Sequence, residues 1–262
     1  MEILLHKMHT KLEDVVQYSL QSGAETINMN ALIGQDIRFT FKQNVQCGSC
    51  GKNFKKLFAQ GFCYNCFMSV PEAAECIIKP ELCRAHLGEG RDVAWEIAHH
   101  MQPHFVYFAV ASSLKVGVTR TTQVPTRWID QGASQAIRIA ETPYRQLAGQ
   151  IEVALKSSFT DKTNWRRMLK NEIGSFDLET EKWQLEELLP ADLSQYMTED
   201  DEIIDINYPV LMYPEKVTSV GFDKLPVIEG QLLGIKGQYL ILDNGRVLNI
   251  RKHEGYIVDF DF

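Results

Sequence analysis

The six cysteines of this 262-residue chain all lie between Cys47 and Cys83. Four of them form two C-x2-C pairs, Cys47/Cys50 and Cys63/Cys66, with twelve residues between the pairs. Four thiolates at this spacing can surround one Zn²⁺ tetrahedrally. The spacing therefore predicts a structural zinc site.

A second set of metal-binding residue types follows the first. Cys76 is followed by Cys83 and His86, which have Cys-x2-His spacing. The sequence offers three candidates for a fourth ligand: His99, His100 and His104. The alternative is that Cys76 is a small buried residue and the histidines lie on the surface. A site with only three protein ligands would leave one place for water, which is the arrangement of a catalytic zinc.

The first residues of the chain bear on the state of these thiols. The stretch MEILLHKMHTKLEDVV has no apolar segment followed by a small-residue cleavage site, so we expect a cytoplasmic protein. Thiols stay reduced in the cytosol, which favours metal binding over the alternative of a disulfide pair. The longest apolar runs, such as Phe105–Ala111, are too short to span a membrane, so we expect no membrane partner.

The charge is distributed unevenly along the chain. The formal net charge is −7, but residues 42–171 hold seventeen Lys or Arg and ten Asp or Glu, a balance of +7. Residues 172–205 hold twelve acidic side chains against the single base Lys182, a balance of −11. The basic part is compatible with phosphate contact. The acidic part is interpreted as a connector that could cover the basic face.

Helical and strand patterns must position these groups. The spacing of apolar residues and the capping residues predict helices over Thr10–Ser22, Asp92–His104 with Asp92 as its N-cap, Thr126–Gln131, Pro143–Ser157, Thr163–Asn171 and Glu179–Leu189. Strands are predicted over Thr26–Phe41, with a turn at Gly34-Gln35-Asp36, and over Phe105–Ser112 and Leu114–Thr119.

The tail Val210–Phe262 is rich in strand-forming residues and turns. Asn244-Gly245 between two apolar runs indicates a type I′ hairpin. We predict a small antiparallel sheet or barrel, which the strand at Ala31–Phe41 could join. The predicted fold class is α+β. Five segments are expected, namely residues 1–46, a zinc-binding module at 47–104, a central α/β module at 105–171, the acidic connector at 172–205 and a β-domain at 206–262.

The central module contains an ordered series of residues that resembles the GIY-YIG nuclease superfamily. The series is Val106-Tyr107-Phe108, Lys115-Val116-Gly117-Val118-Thr119-Arg120, Arg127 and Glu152. The resemblance places a tyrosine on the first strand, a K-[IV]-G-x-T motif on the second strand, an arginine on the first helix and a glutamate on the next helix.

The resemblance implies roles for these positions. Tyr107 and Arg127 would act around the phosphate and the attacking water, and Glu152 would hold Mg²⁺ or Mn²⁺. Lys115 and Gly117 would lie at the substrate, and Asn164 matches a late polar residue of some members. The sequence departs from the pattern at Val116, which stands where the second motif has a tyrosine. This departure leaves open whether the site is catalytic.

The whole chain also resembles a bacterial and archaeal family catalogued as domain of unknown function 2797. The matching stretches are the Cys47–Cys66 knuckles, Pro80-Glu81-Leu82-Cys83-Arg84-Ala85-His86, Thr126-Arg127-Trp128-Ile129-Asp130-Gln131-Gly132-Ala133, Thr163-Asn164-Trp165-Arg166 and Gly234-Ile235-Lys236-Gly237-Gln238-Tyr239-Leu240. Trp128 beside Arg127 could stack on a base, or it could lie in the core with Arg127 paired to Asp130. The stretch from Lys236 to Tyr239 lies at a predicted strand entry, where small barrels often bind ligands.

These observations lead to two main hypotheses. The first is a zinc-binding protein that performs metal-assisted phosphodiester hydrolysis or processes nucleic acid, with zinc at one or two sites and Mg²⁺ or Mn²⁺ at Glu152. The alternative is a catalytically inactive, zinc-stabilised module that binds nucleic acid or another protein. A third hypothesis is hydrolysis at an open second zinc site. The sequence gives no indication of the oligomeric state.

Overall fold

The computed structural model describes residues 1–156, 158–159 and 164–262, and this part of the chain has a mixed α+β fold. Its strands are β1 (Glu2–Leu4), β2 (His9–Lys11), β3 (Gln17–Ser22), β4 (Glu25–Asn28), β5 (Asp36–Gln46), β6 (Asn53–Phe54), β7 (His104–Val110), β8 (Leu114–Arg120), β9 (Gln135–Thr142), β10 (Ile203–Asp205), β11 (Thr218–Val220), β12 (Val227–Lys236), β13 (Tyr239–Leu242), β14 (Arg246–Asn249) and β15 (Tyr256–Asp261). Its α-helices are α1 (Tyr64–Ser69), α2 (Val93–His100), α3 (Thr126–Asp130), α4 (Arg145–Lys156), α5 (Trp165–Leu169), α6 (Leu178–Trp183) and α7 (Ala191–Ser194). None of these helices has the length and apolar character of a membrane span.

The largest sheet joins the two ends of the chain. Its strand order is β1-β15-β5-β12-β13-β14-β11, with β6 pairing to β5, and all neighbours are antiparallel except β11 and β14. In β5, Ile37 and Phe39 are buried while Asp36 and Arg38 face solvent, as expected for a strand with one covered face. The Phe39 ring stacks on Phe260, with centroids 4.1 Å apart.

A small sheet replaces the helix that the sequence predicted over Thr10–Ser22. The order of this sheet is β2-β3-β4, and all its pairs are antiparallel. Tyr18 and Leu20 are buried in the same core as the large sheet, whereas the residues between and beside them are partly exposed. The apolar residues of β3 thus repeat every second position, and this period of two belongs to a strand rather than a helix.

The central sheet lies between two hydrophobic cores. Its order is β10-β9-β7-β8, with antiparallel neighbours, and β9 had no counterpart in the sequence prediction. From β7, Val106 and Phe108 pack in the core that also contains Ile151 of α4. Tyr107 and Ala109 alternate with them and belong to the core of the large sheet. Strand β7 is therefore buried on both faces.

The acidic segment 172–205 packs into the central core. Leu178 and Leu185 lie in the core that covers α4, and β10 pairs with β9. Lys182 is 1% exposed, and its Nζ donates to the Asp201 carboxylate at 2.7 Å and to the Asp200 carbonyl oxygen at 2.7 Å. The segment thus contributes both to a hydrophobic core and to the central sheet.

Local signals placed several other elements correctly. The Asp92 side chain caps α2 by accepting from the Trp95 backbone N–H at 3.0 Å. Asn244 and Gly245 have φ angles of 55° and 67°, as a type I′ hairpin requires, and they connect the antiparallel pair β13 and β14. Ser157 and Thr163, at the ends of two predicted helices, lie outside the described residues.

Candidate metal centres and basic cleft

The two C-x2-C pairs meet in one cluster. The sulfur atoms of this four-cysteine cluster, formed by Cys47, Cys50, Cys63 and Cys66, all lie within 4.8 Å of one another. The Cys50 and Cys63 sulfurs are 4.0 Å apart, and the Cys63 backbone N–H points at the Cys47 sulfur at 3.3 Å. Four sulfurs at these distances fit the roughly 3.8 Å edges of a tetrahedron with Zn–S bonds of about 2.3 Å.

The surroundings lower the pKa of one thiol of this cluster and raise the pKa of another. Burial raises the pKa of Cys47, but the backbone N–H groups of Cys50, Cys63 and Ser49 outweigh it and lower the pKa to about 6. The pKa of Cys66 is raised to about 11, because burial and the neighbouring thiols outweigh the lowering effect of Ser49. Four thiolates so close together repel one another, so a divalent cation would stabilise the fully ionised cluster.

A second donor cluster lies further along the segment 47–104, after the four-cysteine cluster. Its four members are buried, and their donor atoms also lie within 4.8 Å of one another: Cys76, Cys83, Glu96 and His100. His100 Nδ1 is 2.9 Å from Glu96 Oε2 and 3.4 Å from the Cys83 sulfur. The Cys76 sulfur is 3.9 Å from Glu96 Oε2. This cluster combines donor types that also bind zinc.

The second cluster differs in part from the predicted ligand set. Cys76 and Cys83 come together as expected, and His100 is the candidate fourth ligand that joins them. His86 lies outside the cluster, because its ring stacks on Tyr144 with centroids 5.2 Å apart. Glu96 takes the remaining place. The sequence signal that could have identified it is its i, i+4 spacing from His100, which puts both side chains on one face of α2.

A cleft of about 420 Å³ lies beside the second donor cluster. It is lined by residues 115–120 of β8 and by residues of α2, α3, α4 and the segment from Ile77 to Pro80. Its lining contains six cationic side chains, Lys7, Lys115, Arg120, Arg127, Arg145 and Arg251, and two carboxylates, Asp130 and Glu152. We call it the basic cleft, because this excess of positive charge favours anions.

The structure brings four of the predicted residues to this cleft. Lys115 and Gly117 lie on β8, Arg127 on α3 and Glu152 on α4, and all four line the cleft. Glu152 is 9% exposed, and its Oε2 lies 3.5 Å from Lys156 Nζ in an ion pair along α4. A partly buried carboxylate in a basic cleft can hold a hard divalent cation when an anionic ligand shares it.

Tyr107 lies behind the cleft rather than in it. It is fully buried, and it pairs with Gly117 across β7 and β8. A Cβ atom at Gly117 would come within 2.6 Å of the Tyr107 ring and hydroxyl, so only glycine leaves room for this side chain. Burial raises the pKa of Tyr107, whereas Arg127 and Gln131 partly oppose the increase. The phenol that the resemblance assigns to the phosphate and the attacking water is therefore enclosed behind the cleft and does not line it.

Two other predicted substrate contacts also have structural roles. Trp128 is 1% exposed and packs edge-on against Tyr107 at 5.9 Å, so its ring is closed off from a base. Asn164 caps α5, since its side-chain oxygen accepts from the backbone N–H groups of Arg166 at 3.1 Å and Arg167 at 3.3 Å. Asn164 is not among the residues that line the basic cleft.

The stretch around Gln238 docks α3 on the large sheet and is not an exposed ligand site. Gln238 is 1% exposed and donates to Asp130 Oδ1 at 2.8 Å and to the Met8 carbonyl at 3.1 Å, while it accepts from the Met8 N–H at 2.8 Å. Asp130 also pairs with Lys7 at 3.0 Å, rather than with Arg127. Lys236 is fully buried, and its Nζ donates to Asn171 Oδ1 at 2.8 Å.

Comparison with known proteins places the chain in a family. Searches of the curated proteins and of the solved structures give no match. One family model, described as "Protein of unknown function (DUF2797)", matches residues 34–258. This match covers both donor clusters and all of the basic cleft except Lys7, so the chain belongs to the DUF2797 family.

Proposed function

We propose that the basic cleft binds the phosphodiester backbone of a nucleic acid and that Glu152 supports its metal-assisted hydrolysis. One observation carries the proposal: Lys115, Gly117, Arg127 and Glu152, which are separate in the sequence, line the same cleft. The volume of about 420 Å³ falls within the range of about 300–1,000 Å³ that is typical of ligand sites. The order of these residues on β8, α3 and α4 also supports a GIY-YIG-like arrangement.

Each group has a role that follows from its chemistry. Arg127 can donate paired N–H groups to phosphate oxygens, and Lys115 adds a second positive charge. A divalent cation held by Glu152 would neutralise charge on the phosphate and lower the pKa of a bound water. Tyr107 does not line the cleft but interacts with Arg127, so we assign it a positioning role.

A second candidate function is binding without cleavage. Val116 stands where the resembling nuclease motif has its second tyrosine, and the Tyr107 phenol is closed off by the β7–β8 pair. The ion pair between Glu152 and Lys156 also competes with a cation for the carboxylate. Under this reading the two donor clusters order a module that binds nucleic acid.

Binding is tested with fluorescent single-stranded and double-stranded DNA and RNA at several salt concentrations. We expect Arg127→Ala to weaken binding to all sequences and to reduce the salt slope by about 1. The matched control is Arg38→Ala, because Arg38 lies on the large sheet and does not line the basic cleft. Equal losses for the two variants, or binding that is insensitive to salt, would contradict the proposal.

Cleavage is tested on the bound substrates with Mg²⁺ or Mn²⁺. We expect Glu152→Gln to abolish cleavage and to retain the fold and the binding, whereas the control Glu229→Gln cleaves normally. Cleavage that survives in Glu152→Gln would exclude the catalytic assignment. Metal-independent binding without cleavage in the wild-type protein would establish the second candidate function instead.

A further inference from the structure

We propose that the second donor cluster binds a zinc ion, with Glu96 as its fourth ligand, and that this zinc fastens one wall of the basic cleft to helix α4. The zinc assignment is independent of the proposed nucleic-acid function. The role of this zinc in supporting the cleft wall rests on the proposed function of the cleft, so a separate measurement tests it.

The geometry of the cluster fits a closed tetrahedral site. For bonds of about 2.3 Å to sulfur and about 2.0–2.1 Å to nitrogen or oxygen, the edges of a tetrahedron are roughly 3.3–3.8 Å. The separations of 2.9, 3.4 and 3.9 Å between neighbouring donor atoms bracket these edges. All four residues are less than 9% exposed, which fits four protein ligands better than an open position for water.

The surroundings orient Glu96 towards the cluster. Its Oε1 accepts from the Arg91 backbone N–H at 3.4 Å, which leaves Oε2 facing His100 and Cys76. Its side chain occupies the space beside Gly90, where a Cβ atom would lie 2.7 Å from the Glu96 side-chain carbons. Outer contacts of this kind, which orient a ligating carboxylate, are typical of metal sites.

A metal also accounts for the burial of these groups together. Without a cation, the cluster contains a carboxylate, an imidazole and two thiols in a small core whose other members are Ala74, Ala85 and Ile77. Burying such groups is costly unless they are paired or coordinate a metal. The competing explanation is a metal-free Glu96–His100 ion pair, with the two thiols as its hydrogen-bond partners.

The cluster is connected directly to the cleft wall. The Arg145 guanidinium at the start of α4 donates to the Cys76 carbonyl at 2.9 and 3.1 Å and to the Ile77 carbonyl at 2.9 Å. Gly149 lies against the backbone of Pro80 and Glu81, where a Cβ atom would overlap the Glu81 nitrogen. Ile77 and Pro80 line the cleft, so the position of this wall depends on the segment that carries both cysteines.

Metal content and X-ray absorption of the wild-type protein test the zinc assignment without any variant. We expect two zinc ions per chain, with an average of about three sulfur and one nitrogen or oxygen neighbours per zinc, because the four-cysteine cluster is combined with a site of two sulfurs. One zinc per chain with four sulfur neighbours would overturn the proposal.

Variants then assign the ligands. Cys83→Ser is expected to retain one zinc with four sulfur neighbours, and Glu96→Gln to lower the affinity for the second zinc. His86→Ala, which changes a histidine outside the cluster, is expected to retain both ions. Two tightly bound zinc ions in Glu96→Gln would exclude Glu96 as a ligand.

Hydrogen exchange tests the fastening role. We expect Cys83→Ser to increase exchange in residues 75–100 and in the first turns of α4, whereas Cys66→Ser increases it only around the four-cysteine cluster. Unchanged exchange in α4 would show that the second zinc does not support the cleft. If two zinc ions are found but the protein binds no nucleic acid, the proposed function fails while the metal site stands.

Discussion

At the scale of single residues, Gly117 leaves the space that the buried side chain of Tyr107 occupies. Tyr107 is fully buried across from it, and the space that a Cβ atom would need is occupied by the tyrosine ring and hydroxyl. The glycine of the K-V-G-V-T stretch is therefore explained by packing, whatever the chemistry of the cleft.

We expect Gly117→Ala to reduce the free energy of unfolding by about 1–3 kcal/mol, since the added methyl group overpacks the site. Urea denaturation measures the change. Gly48→Ala is the control, because its new methyl group would have its nearest neighbour at 3.6 Å, an ordinary contact. An equally small effect in both variants would show that Tyr107 moves at little cost.

His104 is a second residue whose environment sets its chemistry. It is fully buried, and burial lowers its pKa to about 4, although the Gln102 carbonyl that accepts from Nδ1 partly opposes this effect. The unfolded chain binds a proton near the ordinary value of 6.5. The stability that neutral His104 contributes is therefore complete above that value and is lost as the pH falls towards 4.

An NMR titration of the imidazole groups between pH 7.5 and 5 checks this assignment. We expect His104 to stay neutral over this range. His6 should titrate above its ordinary value, because a hydrogen bond to Glu254 raises its pKa. A midpoint for His104 near 6.5 would contradict the burial argument.

At the scale of elements, helix α4 connects the central core, the cleft and the segment that carries the second donor cluster. Its inner face contributes Ile151 and Leu155 to the core, Glu152 faces the cleft, and Gly149 contacts the backbone of Pro80 and Glu81. Three different environments thus meet on twelve residues of one helix.

We expect Gly149→Ala to destabilise the protein by about 1–3 kcal/mol, because the new methyl group cannot fit against the Glu81 backbone. The direction of the change in stability is informative, because replacing glycine by alanine in an unobstructed helix stabilises it by about 1 kcal/mol. The thermal unfolding of Gly149→Ala is compared with that of the control Gln150→Ala, which changes the exposed neighbouring residue. A stabilised Gly149→Ala protein would show that the segment is not held against α4.

At the scale of the whole molecule, the large sheet depends on both ends of the chain. Strand β5 pairs with β15 on one side and with β12 on the other, and β1 covers the outer edge of β15. Phe260 of β15 is 1% exposed and stacks on Phe39.

We expect Phe260→Ala to reduce the free energy of unfolding by about 3–5 kcal/mol, because it leaves a cavity in the shared core. Phe262→Ala, which removes a ring that is 54% exposed, should change it little. Chemical denaturation followed by tryptophan fluorescence distinguishes the two variants. Similar stabilities would mean that the C-terminal strand contributes little to the core.

Sequence by itself determined the features that depend on local spacing. The C-x2-C pairs predict the four-cysteine cluster, because a tight turn brings two thiols separated by two residues to one point. Asp92 predicts the start of α2, and Asn244-Gly245 predicts its hairpin, because each signal acts within a few residues. The helix predicted over Thr10–Ser22 is replaced by the paired strands β2 and β3, since so short an apolar pattern fits both periods.

Only the tertiary structure decided which distant groups meet. Glu96 and His100, rather than His86, join Cys76 and Cys83, because α2 packs against the segment that carries the cysteines. The basic cleft likewise combines residues from Lys7 to Arg251, and Trp128 is withdrawn into the core because α3 docks on the large sheet. These contacts depend on how separate elements pack, and the spacing of residues in the sequence does not specify that packing.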